Sequence, residues 1–596
     1  VCGIFGIINQ NEKILGPTLI EACKRLSYRG YDSVGCATMD EKWTIDLRKD
    51  AGKVEEVSQK LLFSEMKGFS GIAQLRWATF GAPSQVNAQP HFDSAKELFG
   101  AHNGNVVNNI QLREMFLKEG MTVRSTNDGE SCVHSVEYFI KRGFETEEAV
   151  RRATTLLEGD YAFLLARKGE KKIYAVKKGS GLVIGIGEDG NYVSSDLPSL
   201  LFLTRKIIRV EDGEMAILEP SKVTIKKIED GSIVKREVEK IEEEMESAKK
   251  GGFSHFMLKE IYEQPKVAMD LLHLLNASPI IEKFIEKLSN ARNIYFIGCG
   301  TSYHACLFGA VAFAQYSKIP VIPILAPQFI AQYLPTASQR DIGVFVSQSG
   351  ETKDVLRALE LAKEKKMQAL GLVNVLGSSL MKMSDFYLPL ACGYEISVPA
   401  TKTFINQSLT FLYLAAKMGG MDTSLLMDFP KAIQETLSKS EKTVREVIPI
   451  IKNYDEYYCL GYGFTYPIAL EGALKIKEVT YCHCEGMLST EFKHGPLSSV
   501  RENYPIIFVV SKTDIPVALS GINEVSCRGG TTIVISTEDE RLKLNSKKII
   551  AIPPCNDLFF SLVSVVPLQL LAYYSSVEKG YDPDFPRNLS KTLTVD

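Results

Sequence analysis

The chain has 596 residues, 45% hydrophobic and 24% charged, with a formal net charge of -3, and is too long for one hydrophobic core. That balance lacks the basic excess that phosphate-backbone binding needs, which argues against nucleic acid as a partner. The N-terminus has no basic stretch leading into a long apolar run, so no secretory signal is read and a cytoplasmic protein is expected.

The chain opens Val1-Cys2-Gly3-Ile4-Phe5-Gly6. A thiol beside a chain terminus can be served by its own α-amino group, whose ordinary pKa near ~8 suits a base at neutral pH. That chemistry requires residue 1 to be removed so that Cys2 carries the free amine. From residue 1 to about 240, short alternating or apolar runs such as 71–75 and 161–166 are separated by Gly, Asn and Asp turns, and this half is expected to be rich in sheet. Within it, Arg76-Trp77-Ala78-Thr79 follows an expected strand, Ala101-His102-Asn103-Gly104-Asn105 has the composition of a tight turn, and Asn127-Asp128-Gly129-Glu130 offers a carboxylate. A guanidinium for an α-carboxylate, an Asp for an α-ammonium, and an Asn amide with a Gly N–H for an oxyanion would together recognise and hydrolyse an amino-acid amide. Taken singly, the same residues are compatible with ordinary salt bridges and turns.

Residues 235–246 are charge-dense and lead to Lys249-Lys250-Gly251-Gly252, the composition of a solvated helix followed by a flexible joint. A linker is therefore placed at 241–254. Beyond it, apolar strands followed by small-residue turns and helical runs announce parallel α/β layers. The segment around Gly298 is echoed around Gly461, and Phe345 is echoed by Phe508, at one shared offset of 163 positions. Two related α/β subdomains are expected, 255–435 and 436–580, with a tail of 581–596. The first copy keeps Ser347-Gln348-Ser349-Gly350-Glu351-Thr352 after its second landmark strand, where the other copy reads Val510-Ser511-Lys512-Thr513-Asp514-Ile515. Hydroxyls and N–H groups at such a strand-to-helix turn suit a phosphate monoester, or else simply cap the helix. No P-loop occurs, and Gly298-Cys299-Gly300-Thr301-Ser302-Tyr303 lacks the third glycine of the dinucleotide fingerprint.

The most apolar window, 558–572, contains Ser, Pro and Gln within a length that barely spans a bilayer, and is expected to be a buried core helix rather than a membrane contact. The 12 cysteines include no C-x-x-C pair, which favours reduced thiols, and Cys482-His483-Cys484 has no further ligands at metal-site spacing.

Cys2-Gly3-Ile4-Phe5-Gly6, Tyr28-Arg29-Gly30-Tyr31-Asp32-Ser33, Arg76-Trp77-Ala78-Thr79, His102-Asn103-Gly104 and Asp128 resemble the class II glutamine amidotransferase domain. Lys259-Glu260-Ile261-Tyr262-Glu263-Gln264-Pro265, the two repeats, Lys493-His494-Gly495-Pro496 and Pro586-Arg587-Asn588-Leu589-Ser590-Lys591 extend the likeness over the full length. In this order the motifs resemble the isomerising glutamine:fructose-6-phosphate aminotransferase family. The resemblance implies an α/β multidomain chain: an N-terminal four-layer α/β/β/α N-terminal-nucleophile amidotransferase domain (1–240), then two tandem α/β sugar isomerase subdomains with flavodoxin-like parallel sheets.

It further implies that Cys2 attacks the glutamine amide, Asn103 and Gly104 form the oxyanion hole, and Arg76, Trp77, Thr79 and Asp128 bind glutamine, with Trp77 helping to gate internal passage of ammonia. Thr301, Ser302, Ser347, Gln348, Ser349, Thr352 and Val398 would bind the sugar phosphate. Lys591 would form the imine, Glu478 would move the proton between C1 and C2, His494 would assist ring opening, and Lys475 would support proton transfer. Glutamine and fructose 6-phosphate are the implied substrates, a homodimer the implied assembly, and no metal or redox cofactor is implied. Phe80, Gln89 and Ala400 depart from the family's usual His, His and Ser, and Ser590 from its common Ala. A relative acting on another ketose phosphate, or running as an amino-sugar deaminase, is the second reading. A phosphosugar-sensing module is a third, although a sensor needs none of Cys2, Glu478, His494 and Lys591.

Overall fold

The computed structural model describes residues 2–27, 30, 32–76, 81–197, 199–240, 250–589 and 591. The chain divides near residue 249 into two compact units.

In the first unit, two antiparallel sheets are stacked face to face. The eight-stranded sheet runs, in spatial order, Glu239–Lys240, Lys206–Arg209, Val183–Ile186, Gly190–Ser194, Gly3–Ile14, Lys67–Arg76, Ser33–Met39 and Ile45–Ala51. The seven-stranded sheet runs Ile233–Val234, Lys222–Lys227, Glu214–Glu219, Ile173–Lys178, Tyr161–Arg167, Leu98–Gly104 and His91–Phe92. Period-two patterning places the layers. Ile4 and Ile8 enter the core between the sheets, where they meet Ala162, Leu164 and Ala166 of the facing sheet. Phe5 and Ile7 point the other way and pack with Leu19, Ala22 and Cys23 of the helix Gly16–Leu26. Tyr161, Phe163 and Leu165 likewise turn outward, against Val133 and Val136 of the helix Gly129–Ile140. The result is the expected α/β/β/α stack.

The charged run at 235–246 does not behave as its composition suggests where it is described. Glu239–Lys240 is a short strand paired with Lys206 and Ile207, and Glu239 meets Arg209 at 3.1 Å. An open sheet edge and an opposite charge across the ladder outweigh weak helix propensity here. The remainder of that run, 241–249, lies outside the described residues, as does most of the linker placed at 241–254.

The second unit carries the duplication. One parallel sheet is ordered Ile322–Leu325, Ile294–Gly298, Ile342–Ser347, Gln368–Val373, Phe386–Pro389; the other is ordered His483–Leu488, Glu456–Gly461, Pro505–Val509, Thr531–Ser536, Lys548–Ala551. Numbered within each copy, both read 2-1-3-4-5, the flavodoxin-like order that opens a crevice at the carboxyl ends of the first and third strands. The copies share one hydrophobic core, and the division drawn at 435/436 falls inside the helix Phe429–Ile451. The apolar window at 558–572 forms two helices, Asp557–Val563 and Val565–Glu578, that meet at Ser564. Its most apolar part is wholly buried inside this core.

Candidate active site

Two clusters collect the expected residues, one in each unit. In the first, the ladder between Gly3–Ile14 and Lys67–Arg76 pairs Gly3 with Leu75, so the next step of the register sets Cys2 opposite Arg76. Cys2 is buried, and Arg76 is fully so, its guanidinium donating to Gly81 O at 2.6 Å. Burial pushes the Arg76 guanidinium down, while Cys2, Asp128 and Asp32 push back, which places all three acidic groups around one cation.

Asp128 sits at the start of the helix Gly129–Ile140 and is buried. Its Oδ2 accepts from Val106 N at 3.0 Å and lies 3.3 Å from His102 Nε2. Burial raises the Asp128 carboxyl, but His102 and the Val106 N–H outweigh that and hold it below the ordinary carboxylate range. Asn103 follows His102 on the strand Leu98–Gly104 and is buried, with neither its Oδ1 nor its Nδ2 hydrogen-bonded among the described residues. An orphaned buried amide is costly in a resting protein and useful where a ligand oxygen completes it. Gly104 has φ +115°, and a Cβ there would lie 2.2 Å from Asp160 O, so only glycine fits beside that amide. Trp77, Thr79 and Phe80 lie outside the described residues, as do Val1, Tyr28, Arg29 and Tyr31.

The second cluster draws on both repeats. The first repeat supplies the turn between the strand Ile342–Ser347 and the helix Lys353–Glu364. Ser347 Oγ accepts from Gly350 N at 3.0 Å and lies 3.0 Å from Thr352 Oγ1, while Ser349 Oγ accepts from Glu351 N at 3.1 Å. Gly350 has φ +68°, and a Cβ on it would sit 2.2 Å from Ser378 Oγ. The closed ring of hydroxyls at a helix N-terminus is a ready anion cradle. Gln348 lies within the same turn and is half-buried. Thr301 and Ser302 open the helix Thr301–Ala312, with Ser302 Oγ accepting from Gln407 Nε2 at 3.0 Å.

From the second repeat comes the helix Thr465–Thr480, which places Glu471, Lys475 and Glu478 on one face. Lys475 is fully buried; its Nζ lies 2.5 Å from Glu478 Oε2, 3.5 Å from Glu471 Oε1 and 3.0 Å from Thr301 Oγ1. Glu471 also accepts from Thr301 Oγ1 at 3.0 Å and lies 2.8 Å from His304 Nδ1. Burial alone would lower the Lys475 ammonium, yet Glu471 and Glu478 carry it above its ordinary value. Glu478 is raised by burial, an effect that Lys475 and Lys591 only partly offset.

The tail reaches this cluster. Asp584 accepts from Phe256 N and Met257 N at 2.8 and 2.7 Å, capping the helix Phe256–Ala277, and Arg587 N donates to Tyr481 Oη at 2.9 Å. Lys591 then meets Glu395 Oε2 at 2.7 Å, nearly buried. Glu395 is pushed up by burial but brought below its usual range by Lys591 and the Thr401 N–H. Val398 spends its N–H on Asp584 O at 2.8 Å, leaving its carbonyl as the backbone group for a ligand. Ser590 lies outside the described residues.

His494 alone stands apart: its side chain is exposed and makes no hydrogen bond or ion pair among the described residues. Sequence reasoning missed Glu471 and Glu395. The spacing of Glu471, Lys475 and Glu478 at i, i+4 and i+7 on an otherwise apolar helix was the available signal for the first. Nothing local marks Glu395, since its partner is 196 positions away.

A family model described as a glutamine amidotransferase domain matches residues 76–201, and one described as a SIS domain matches twice, at 287–417 and 450–579. Proteins named glutamine–fructose-6-phosphate aminotransferase (isomerizing) are similar over the whole of both chains: 36% identical from Thermococcus kodakarensis, and 39% from both Pyrobaculum aerophilum and Aquifex aeolicus. Among solved structures, the C-terminal domain of glucosamine-fructose-6-phosphate aminotransferase from Francisella tularensis is 30% identical, covering 56% of this chain and 99% of that one, with a TM-score of 0.51. Tagatose-6-phosphate ketose/aldose isomerase from Escherichia coli, at 20% identity over 56% of this chain and 96% of that one and a TM-score of 0.51, shares the fold.

Proposed function

The chain belongs to the isomerising glutamine–fructose-6-phosphate aminotransferase family, and from that premise we propose that it converts fructose 6-phosphate and glutamine into glucosamine 6-phosphate and glutamate. The observation that carries this reading is the coexistence, in one chain, of a buried Cys2–Arg76–Asp128 cluster and a buried lysine–carboxylate cluster ending in Lys591.

Cys2 attacks the amide carbon of glutamine. Its carbonyl oxygen gains charge and takes the Asn103 amide and the Gly104 N–H, while Arg76 meets the α-carboxylate and Asp128 the α-ammonium. Collapse of the tetrahedral adduct releases ammonia, which is passed to the sugar, and leaves a Cys2 thioester that water hydrolyses to glutamate. Trp77 and Thr79, outside the described residues, are assigned to glutamine binding by the family resemblance alone.

The phosphate sits on Ser347, Gln348, Ser349 and Thr352, with Thr301, Ser302 and Val398 along the sugar. Lys591 Nζ attacks C2 of the open-chain ketose and, with loss of water, forms an iminium. That acidifies the C1 hydrogens. Ammonia adds to the iminium carbon and displaces Lys591 Nζ, leaving a ketimine at C2 and a free lysine. Glu478, close enough for Lys591 to act on it electrostatically, then takes a proton from C1 and returns it to C2, so that C1 becomes the aldehyde and C2 carries the amine. Lys475 keeps Glu478 ionisable despite burial. His494 assists ring opening, and because its imidazole is exposed and makes no hydrogen bond or ion pair among the described residues of its own chain, a homodimer that supplies it from the second copy is the matching assembly. We place the enzyme in the cytoplasm.

The test measures glutamate release and amino-sugar phosphate formation side by side, with and without fructose 6-phosphate. Equal amounts of both, appearing only with the sugar, are expected. Glutamate without amino sugar would refute the assignment and direct attention to another acceptor.

A further inference from the structure

Gln89 occupies a position where the resembling family usually has His, and the structure gives it a defined task. It is fully buried, and its Oε1 accepts from the backbone N–H of His102 at 2.7 Å. That bond fixes which way the amide is turned, because a backbone N–H can only donate. Gln89 Nε2 therefore donates to His102 Nδ1, 3.2 Å away. With Nδ1 accepting, the ring hydrogen resides on Nε2, which lies 3.3 Å from Asp128 Oδ2 without an aligned hydrogen bond among the described residues, so that this contact acts through its electrostatics. Oδ2 also takes the Val106 N–H at 3.0 Å, whereas Oδ1 has only a 3.3 Å contact from Asn127 Nδ2. The carboxylate is thus held by one oxygen and offers the other.

The segment carrying Gln89 is itself clamped from two sides. Lys49 Nζ donates to Ala88 O at 2.5 Å and to Pro90 O at 3.0 Å, the residues on either side of Gln89. On the other side, His91 Nε2 lies 3.0 Å from Asn127 Oδ1, an oxygen already committed to Gly129 N at 3.0 Å. His91 must therefore donate, which ties residues 88–91 to the start of the helix that carries Asp128. Lys49 and His91 together leave Gln89 little freedom to move.

We propose that Gln89 is a positioning residue for the substrate α-ammonium: through the His102 tautomer it orients Asp128, and Lys49 holds Gln89 in place. This rests on the reading of Asp128 as the ammonium-binding group. It gives the buried Gln89 amide a task, and it gives Lys49 and His91, which fix the segment through Ala88 O, Pro90 O and Asn127 Oδ1, a common one.

The test compares kcat/KM for glutamine with that for glutaramate, the same amide lacking the α-amino group, in the full-length enzyme. Gln89→Leu should lower kcat/KM for glutamine about tenfold, through KM, and leave glutaramate within about twofold. Lys49→Met, which keeps the Gln89 side chain but releases the Ala88 and Pro90 carbonyls that hold it against His102, should show the same selectivity with a smaller loss, and it serves if Gln89→Leu does not fold. Borohydride trapping of fructose 6-phosphate at Lys591 checks that the second unit is intact. Equal losses for both amides, or no loss for either, would overturn the proposal. Asp128→Asn separates this from the underlying reading: equal effects on both amides in that variant would overturn Asp128 as the ammonium site itself.

Discussion

Replacing Lys475 with Met removes the one cation buried between two carboxylates. Glu478 Oε2 is 2.5 Å from Lys475 Nζ and Glu471 Oε1 is 3.5 Å away, with Lys475 and Glu471 fully buried and Glu478 partly exposed. An opposite charge at this range depresses a carboxyl, so its loss raises Glu478 further, on top of the rise that burial already causes. A base works only when ionised. The acidic limb of the sugar proton-transfer rate therefore moves to higher pH, and on that limb the rate drops roughly tenfold per pH unit. Breaking a buried pair by removing one partner also destabilises by about 3–5 kcal/mol, with the lower end expected because Glu471 retains Thr301 and His304. The assay is deuterium wash-in at the sugar carbon from pH 6 to 9.5, with borohydride trapping at Lys591 as a control for imine formation. A uniform loss with an unmoved midpoint would refute the electrostatic argument and leave Lys475 a packing residue.

Three further outcomes are expected. Asn103→Ala should lower kcat for glutamine hydrolysis about 100-fold with little change in KM, read as glutamate release; an unchanged kcat removes Asn103 from the oxyanion hole. Glu395→Gln keeps the Thr401 and Thr403 N–H bonds but turns a donor toward Lys591, so trapping of fructose 6-phosphate should fall at least about tenfold; trapping at the parent rate would show that Glu395 does not place the amine. Gly350→Ala forces φ +68° on a residue with a Cβ and drives it against Ser378. At about 1–2 kcal/mol for the backbone alone, calorimetry should find fructose 6-phosphate bound about tenfold more weakly, and an unchanged Kd would separate this turn from the phosphate.

How much of this could be read in advance follows the range of the interactions. The sheet-rich character of the first unit was legible because runs such as 71–75 and 161–166 are local, its four layers only through the family resemblance, and the duplication because two landmarks repeat at one offset. The strand-to-helix turn at 347–352 was legible down to its residues. The buried partners were not. Glu395 and Lys591 are joined across 196 positions, Thr301 and Glu471 across 170, and no local pattern encodes either pairing. The charged run near 240 misled for the opposite reason: composition reports solvation, and an edge strand is solvated as well as a helix is.

The duplication itself explains why one sugar site needs both copies. In the first repeat the turn after the third strand closes on itself through Ser347 and Thr352, keeping an anion's place at the helix N-terminus. In the second, Val510 stands at the position of Ser347, and within the turn Ser511 Oγ donates to Asp514 Oδ2 at 2.5 Å while Thr513 Oγ1 approaches Oδ1 at 3.3 Å. A carboxylate of the chain has taken the hydroxyls that a phosphate would need, so this copy is spent as an anion cradle. What it contributes is the helix after its first strand. There the first repeat presents Thr301 and Ser302, and the second presents Glu471, Lys475 and Glu478, with Thr301 hydrogen-bonded to the charges opposite. On the proposed function, one copy would hold the substrate and the other move its protons, and a second turn without a phosphate site would leave the crevice with a single orientation for the sugar.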